Sequence, residues 1–412
     1  MVTSQAGPKP AEAGACSFVD LGDSARVALM LAPAHRGPFE EQAQEVLSAM
    51  RSILSRQPLP MAVTFQTIFL RERSDQAECE RIFSAHYGAQ APVTNYVLQP
   101  PCCGAALALE AWAIGGPDVR LERFGPHALA VSYDSVRWVY CAGIGSADAP
   151  GGVHAGTLAA LARMRAALAE AGSGFEHVVR TWFYLCGITA PGIEGQRYQD
   201  LNRARSEFYQ DIHFCRALAD SQVPHGLYPA STGIGMGGGG LVASCLTLQT
   251  ARPDAFLLPL ENPQQTPAYA YDGRYSPQSP KFSRAMALVL NQYVTTWISG
   301  TASIVNSESR CPGDIAGQTE QTIDNIERLL APENFASHGV KGAGAHLRDL
   351  AKIRVYLKRP EDFARCREIC VRRFGPVPAI YAVADICRPE LLMEIEGVAF
   401  SRLAPGTPAA SK

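Results

Sequence analysis

What this sequence lacks narrows its function before any motif is read. No stretch is long and apolar enough to span a bilayer, and the N-terminus, MVTSQAGPKPAEAGACSF, has no basic start followed by an apolar run. Neither a membrane anchor nor a secretory signal is therefore expected, and the reading is cytoplasmic. Neither sign of charge is in excess: 37 Lys and Arg face 39 Asp and Glu, which leaves no basic surplus to hold nucleic acid. The twelve cysteines form no CxxC pair and no regular framework, so they are expected to be small core residues in a reducing compartment. No GxxxxGK[ST], GxSxG or HExxH is present, and the nine histidines make no metal-ligand spacing. Neither a metal nor a cofactor is expected. Gly233, Gly235 and Gly238 in GIGMGGGG do have GxGxxG spacing, but they lead into a strand rather than opening a helix, which favours a flexible hairpin turn over a phosphate site.

What is present is internal similarity. GAALALEAWA at 104–113, GLVASCLTLQ at 240–249 and ELLMEIEGVA at 390–399 share length and apolar alternation, at intervals of 136 and 150 residues. Upstream of each lies a β-rich stretch (VTFQTIFLRE, VVRTWFYLCG, LAKIRVYLKR), an amphipathic helix, and a Pro-containing turn into the last hairpin. An earlier helix also recurs, as FEEQAQEVLSAMRSIL, TLAALARMRAALAEAG and QTEQTIDNIERLL. The chain reads as an α+β protein of three degenerate copies of one unit, over 16–115, 120–250 and 281–404. A Pro- and Tyr-rich linker is expected over 251–280, with disordered ends at 1–15 and 405–412.

In the third copy, Glu394 and Glu396 put two carboxyls on one face of a mostly apolar strand. Aligned by sequence, Glu396 matches Glu110 and Leu246, whereas Glu394 matches Ala108 and Ser244. An acid that recurs reads as scaffold, hydrogen-bonded to backbone or to a basic partner. The acid unique to its copy has two readings. A desolvated carboxyl holds its proton near neutral pH and can act as a general acid; alternatively, it is a buried acid paired with an arginine.

The third copy, with SPKFSRAM, WISGTASI, VYLKRPEDF and MEIEG, resembles the YjgF/RidA family, whose small chorismate-mutase-like subunits form trimers with ligand sites between subunits. Three such units in one chain imply an internal pseudo-trimer. With PASTGIG in the middle copy and DICRPELLMEIEG at the end, the whole set is similar to the chorismatase family, which splits pyruvate from chorismate. The resemblance implies that Glu394 is the catalytic acid and that Gly300 and Cys387 occupy product-determining positions, in the 3-hydroxybenzoate-forming pattern. From the residues alone, Gly300 is open space beside a ligand or a β-bulge, and Cys387 is a packed apolar residue. A dianionic substrate needs cationic and donor groups, for which Arg388, Arg284, Tyr271 and Tyr275 are candidates, with Arg203 and Arg205 from the middle copy. For each, a surface ion pair or linker packing is the alternative. Chorismate hydrolysis to a dihydroxycyclohexadiene acid and mixed 3-/4-hydroxybenzoate formation stay open. So do RidA-type imine deamination, disfavoured because the RidA arginine falls on Ile380, and a silent small-molecule binding module. A chain that closes its own clefts is expected to be a monomer or weak dimer.

Overall fold

The computed structural model describes residues 2–5, 14–147, 151–193, 195–215, 218, 227–271 and 278–406. Three six-stranded sheets appear in succession. The first holds β1 (Val2–Gln5), β2 (Gly14–Asp20), β3 (Ala25–Leu31), β4 (Ala62–Leu70), β5 (Val93–Leu98) and β6 (Leu107–Gly115), with helices α1 (Phe39–Ser55) and α2 (Gln76–Tyr87). The second holds β7 (Arg120–Phe124), β8 (Ala128–Tyr133), β9 (Val136–Ser146), β10 (Val178–Cys186), β11 (Ala230–Met236) and β12 (Leu241–Thr250), with α3 (Gly152–Glu170) and α4 (Arg197–Tyr209). In the third, β13 (Phe256–Leu260), β14 (Ala285–Leu290) and β15 (Tyr293–Thr301) precede a two-residue hairpin, β16 (Ile304–Val305) and β17 (Glu308–Ser309). Helices α5 (Ile315–Leu330) and α6 (Pro332–Ser337), β18 (Leu350–Leu357), α7 (Phe363–Phe374), β19 (Ala379–Val383) and β20 (Met393–Arg402) complete it.

All three sheets have the same strand order: two strands, a third, then the last strand of the unit, then the strands before and after the second helix. Only the final pair is parallel, β4 with β5, β10 with β11 and β18 with β19. Even the irregularities repeat. A register shift opens each of the three central ladders, at Val63/Phe65, Val178/Arg180 and Leu350/Lys352. The parallel edge of each sheet packs on the next, β5 on β9, β11 on β15 and β19 on β3, so the three close into a ring.

The helices form where apolar residues recur at helical spacing and lie on the outer faces of the sheets. In α5, Asp314 caps the start by accepting from the Ala316 N–H, and Ile323, Ile326, Leu329 and Leu330 are buried. Each of those four contributes roughly 1.5–3 kcal/mol of burial. Helices α2 and α7 end at Gly88 and Gly375, both at positive φ.

Three expectations are corrected. The segment 251–280 is not simply a linker, because β13 pairs along β14 as the edge strand of the third sheet. Its Pro259 is tolerated because an edge strand leaves one side unpaired. Within 1–15, residues 2–5 pair with β2 instead of being disordered. The middle copy is also out of register with the sequence alignment by two residues: Glu394 lies opposite Tyr356, the position held by Ala108 opposite Phe69 and by Val242 opposite Tyr184. Ser244 shares the place of Glu396 and Glu110. Glu394 remains the acid without a counterpart in the other two sheets. At the C-terminal tail, Pro405 and Gly406 form a turn and 407–412 lie outside the described residues. Among the described residues no helix is long and apolar enough to cross a membrane.

Candidate active site

Where β11 meets β15, a cleft of about 790 Å³, its mouth included, opens between the second and third sheets. It gathers Glu394, Gly300, Cys387, Arg388, Tyr271, Arg284 and Arg205. These are the candidate residues from three separated parts of the chain. Two others do not join them: Arg203 turns to Asp200 at 3.3 Å instead of lining the cleft, and Tyr275 lies outside the described residues.

The two acids of β20 have opposite environments. Glu396 is enclosed by Arg180 at 2.7 Å, Arg354 at 3.1 Å and Lys352 at 3.7 Å, and the Thr232 hydroxyl donates to it. Burial alone would raise its pKa, but these three cations hold it down at about 2. Glu110 of the first sheet joins the same group through Arg354 and through Lys352 at 3.0 Å. The recurring acid is therefore scaffold, as its recurrence suggests. Glu394, 4% exposed, makes no hydrogen bond or ion pair with a described residue and faces the cleft. Burial, then the neighbouring Glu396 charge, raise its pKa to about 8, against the weaker opposing pull of Arg180 and Arg284. Its carboxyl is protonated at neutral pH.

Gly300 takes the β-bulge reading, and the space it leaves is filled by the Glu394 carboxyl. It sits at the register shift between Ile298 and Thr301, and a Cβ there would lie 2.0 Å from Glu394 Oε1. Only glycine leaves the carboxyl its place. The Gly300 N–H donates to Thr232 Oγ1 at 3.0 Å, which ties the bulge to the Glu396 cluster. Cys387 is a half-buried thiol with its pKa pushed up to about 12 by desolvation and by Glu394, so it presents a neutral S–H.

The cationic wall comes from two sheets. Arg205 is 1% exposed and donates to Asn202 Oδ1 at 2.6 Å and Ser231 Oγ at 3.3 Å, with no ion pair to a described carboxylate. Arg284 donates to the Thr266 carbonyl at 3.1 Å and to the Tyr271 hydroxyl. Behind it Glu261, at the end of β13 region, accepts from the Arg284 backbone N–H at 3.3 Å, and burial pushes its pKa up to about 7 despite the arginine. Arg388 stacks over the Tyr271 ring at 5.5 Å and donates to the Ser307 carbonyl at 2.8 Å.

Sequence reading missed Tyr198, Asn202, Ser231, Gly233 and Phe282, all of which line the cleft. The signal for two of these was available, since Tyr198, Asn202 and Arg205 recur at four and three residues on one face of α4. Gly233 lies 2.9 Å, measured from where its Cβ would be, from the Tyr198 ring, which is why this strand position takes glycine. The glycine run is not the hairpin turn expected: Gly233 and Gly235 lie within β11, and Gly237–Gly240 connect it to β12, which pairs on the other side of β10 and not with β11.

A neutral acid in an enclosed cleft with buried guanidinium groups suits protonation of an anionic, unsaturated ligand. Comparison with known proteins gives the family. The family model described as Chorismatase FkbO/Hyg5-like, N-terminal, matches residues 110–247, and that described as Endoribonuclease L-PSP matches 277–401. A 3-hydroxybenzoate synthase of Streptomyces hygroscopicus is 34% identical over 295 residues, 70% of this chain and 80% of that protein. The chain belongs to the chorismatase family. A chorismatase of Streptomyces rapamycinicus is 32% identical over 300 residues, covering 70% of this chain and 81% of that one. A crystal structure of a chorismatase aligns over 92% of this chain and 100% of its own with a TM-score of 0.66, at 22% identity, which bears on the fold. The protein is thus a chorismate-converting enzyme with a RidA-like portion at its C-terminal end.

Proposed function

We propose that this chorismatase forms 3-hydroxybenzoate and pyruvate from chorismate, with Glu394 protonating the methylene of the enolpyruvyl ether. The observation that carries the reading is the Glu394 carboxyl, buried, facing the cleft, and still protonated at pH 7 because its pKa lies at about 8. Proton transfer forms a C–H bond at the terminal carbon and leaves positive charge shared with the ether oxygen. The neighbouring ring hydroxyl then attacks the ring carbon that carries the ether. The ether C–O bond breaks, its electron pair stays with the oxygen as the pyruvate ketone, and the hydroxyl proton returns to the Glu394 carboxylate. The attacking oxygen, now bridging two ring carbons, is released from its original carbon as the ring proton on the attacked carbon leaves; the ring aromatises, that proton ends on the phenol oxygen, and no water is consumed.

Arg205, Arg284 and Arg388, with Tyr271, hold the two carboxylates and fix which face of the methylene meets the acid. Gly300 and Cys387 bias the oxocarbenium ion toward the ring hydroxyl rather than toward water. The product name of the 34%-identical relative supports this outcome over hydrolysis. The same reading treats the three sheets as degenerate RidA-like units, 16–115, 120–250 and 281–404 with β13 added to the third, in a monomer or weak dimer whose catalytic cleft is completed within one chain.

The test is product analysis with chorismate alone in buffer containing a chelator. Equal amounts of 3-hydroxybenzoate and pyruvate are expected, and a dihydroxycyclohexadiene acid in place of the arene would overturn the product assignment. Glu394→Gln should keep the fold and chorismate binding while turnover is lost; undiminished pyruvate release would remove Glu394 from the acid role. Cys387→Ala should alter the ratio of products at similar total turnover.

A further inference from the structure

All four tryptophans of the chain, Trp112, Trp138, Trp182 and Trp297, line one cavity, and none of them lines the active-site cleft. The cavity lies where the three sheets converge, on the far side of the Glu396 cluster, and holds about 750 Å³ of non-protein space with its mouth included. Its walls are flat rings: Phe65 stacks on Trp182 at 5.5 Å, Trp138 meets Trp297 at 5.7 Å and Trp112 meets Phe400 at 6.2 Å.

Among these rings stands a charge. Arg26, 8% exposed, projects from β3 and donates to Tyr140 Oη at 2.7 Å and Tyr133 Oη at 3.1 Å, with its guanidinium 5.4 Å from the Trp138 ring centre. It forms no ion pair with a described carboxylate. An arginine cannot shed its proton to escape burial, and a buried charge is ordinarily paired. Tyrosine hydroxyls and ring faces offset part of that cost, but they supply no counter-charge. The other charged residue of the lining, Asp23, is held by Asn291 at 3.0 Å and by Arg252 at 3.7 Å.

We propose that this cavity is a second ligand site, separate from the active site, for an aromatic monocarboxylate whose ring lies between the tryptophans and whose carboxylate pairs with Arg26 and the two tyrosine hydroxyls. The flat walls select a planar ring, and the single unpaired guanidinium selects one carboxylate. A dicarboxylate would bring its second charge against Asp23, so the site discriminates against dianions of the substrate type. The inference stands on the cavity alone and does not depend on the proposed reaction, although a hydroxybenzoate product is a member of the ligand class.

Indole fluorescence tests it directly, because each tryptophan is in the cavity wall. Benzoate, titrated into the wild-type enzyme with excitation at the red edge of the indole band, should give a saturable change in emission. Benzyl alcohol, of similar shape without the charge, should bind at least about tenfold more weakly, as expected for the loss of a charge-assisted pair. Arg26→Met should abolish the saturable benzoate response while chorismate turnover is kept. Arg284→Gln, which alters the active-site cleft, should leave the benzoate response unchanged. The proposal fails if wild-type emission does not respond saturably to benzoate, if benzyl alcohol is as effective, or if the response is lost with Arg284 instead of Arg26. Should Arg26→Met not fold, the wild-type comparison of the two ligands and the Arg284→Gln titration still decide it.

Discussion

At position 394 catalysis and stability pull in opposite directions. The carboxyl ordinarily titrates at 4.5 and here at about 8. Across that window the unfolded chain releases a proton that the folded chain retains, so this residue lowers stability as pH rises. At pH 7 the cost is on the order of 3 kcal/mol. Glu394→Gln is therefore expected to raise the urea midpoint at pH 7, most of all toward pH 8, while turnover is lost. An unchanged midpoint would mean that the acid is better solvated than its burial implies. In the wild type the acid must be protonated to act, so kcat/KM should be flat below about pH 8 and fall tenfold per unit above it. Gly300 depends on the same few ångströms. A methyl group at this position overlaps the Glu394 carboxyl, and Gly300→Ala should lower kcat by at least about tenfold by moving the acid off its line. Parent-like kcat in the alanine variant would show that the acid has room to shift.

Elements bring the cationic wall to the acid, and α4 matters most because it belongs to a different sheet from Glu394. Its Arg205 is fixed by Asn202 and Ser231, a planar fork already oriented before ligand arrives. Arg205→Lys keeps the charge and loses the fork, so KM for chorismate should rise about tenfold with a smaller effect on kcat. Equal KM would assign the carboxylates to Arg284 and Arg388. At this scale the sequence was only partly legible. Apolar period two and period 3.6 marked the recurring strands and helices, and the uniqueness of Glu394 in its strand could be read without coordinates. The register of β12 could not, because Ser244 and Val242 are equally compatible with a buried strand and only the pairing with β10 separates them. Likewise β13 was hidden by Pro259 and by a composition that reads as loop, since an edge strand needs only half the ladder.

For the whole molecule, the decisive contacts are those that no single unit contains. Glu110 comes from the first sheet, Arg180 and Tyr184 from the second, and Lys352, Arg354, Tyr356 and Glu396 from the third, all meeting on the ring's inner side. Three cations face two carboxylates, with Glu394 uncharged beside them. No sequence spacing announces such a cluster, because its members lie as far apart as residues 110 and 396 and are joined only when the sheets close. Arg354 is its hub: it pairs with both glutamates and donates to Tyr184 Oη at 2.5 Å. Arg354→Met should destabilise the protein by about 3–5 kcal/mol, because Glu110 and Glu396 would then share Lys352 and Arg180 in a medium that cannot solvate the remainder. If the cost is the loss of the guanidinium that pairs with buried Glu110 and not lost packing, Glu110→Gln added to Arg354→Met should recover a substantial part of it. Urea unfolding of the two single variants and the double variant gives the coupling energy. A double variant no more stable than Arg354→Met would assign the loss to packing around the guanidinium, and a single variant within about 1 kcal/mol of the parent would mean that the three sheets are held together by their apolar faces without this cluster.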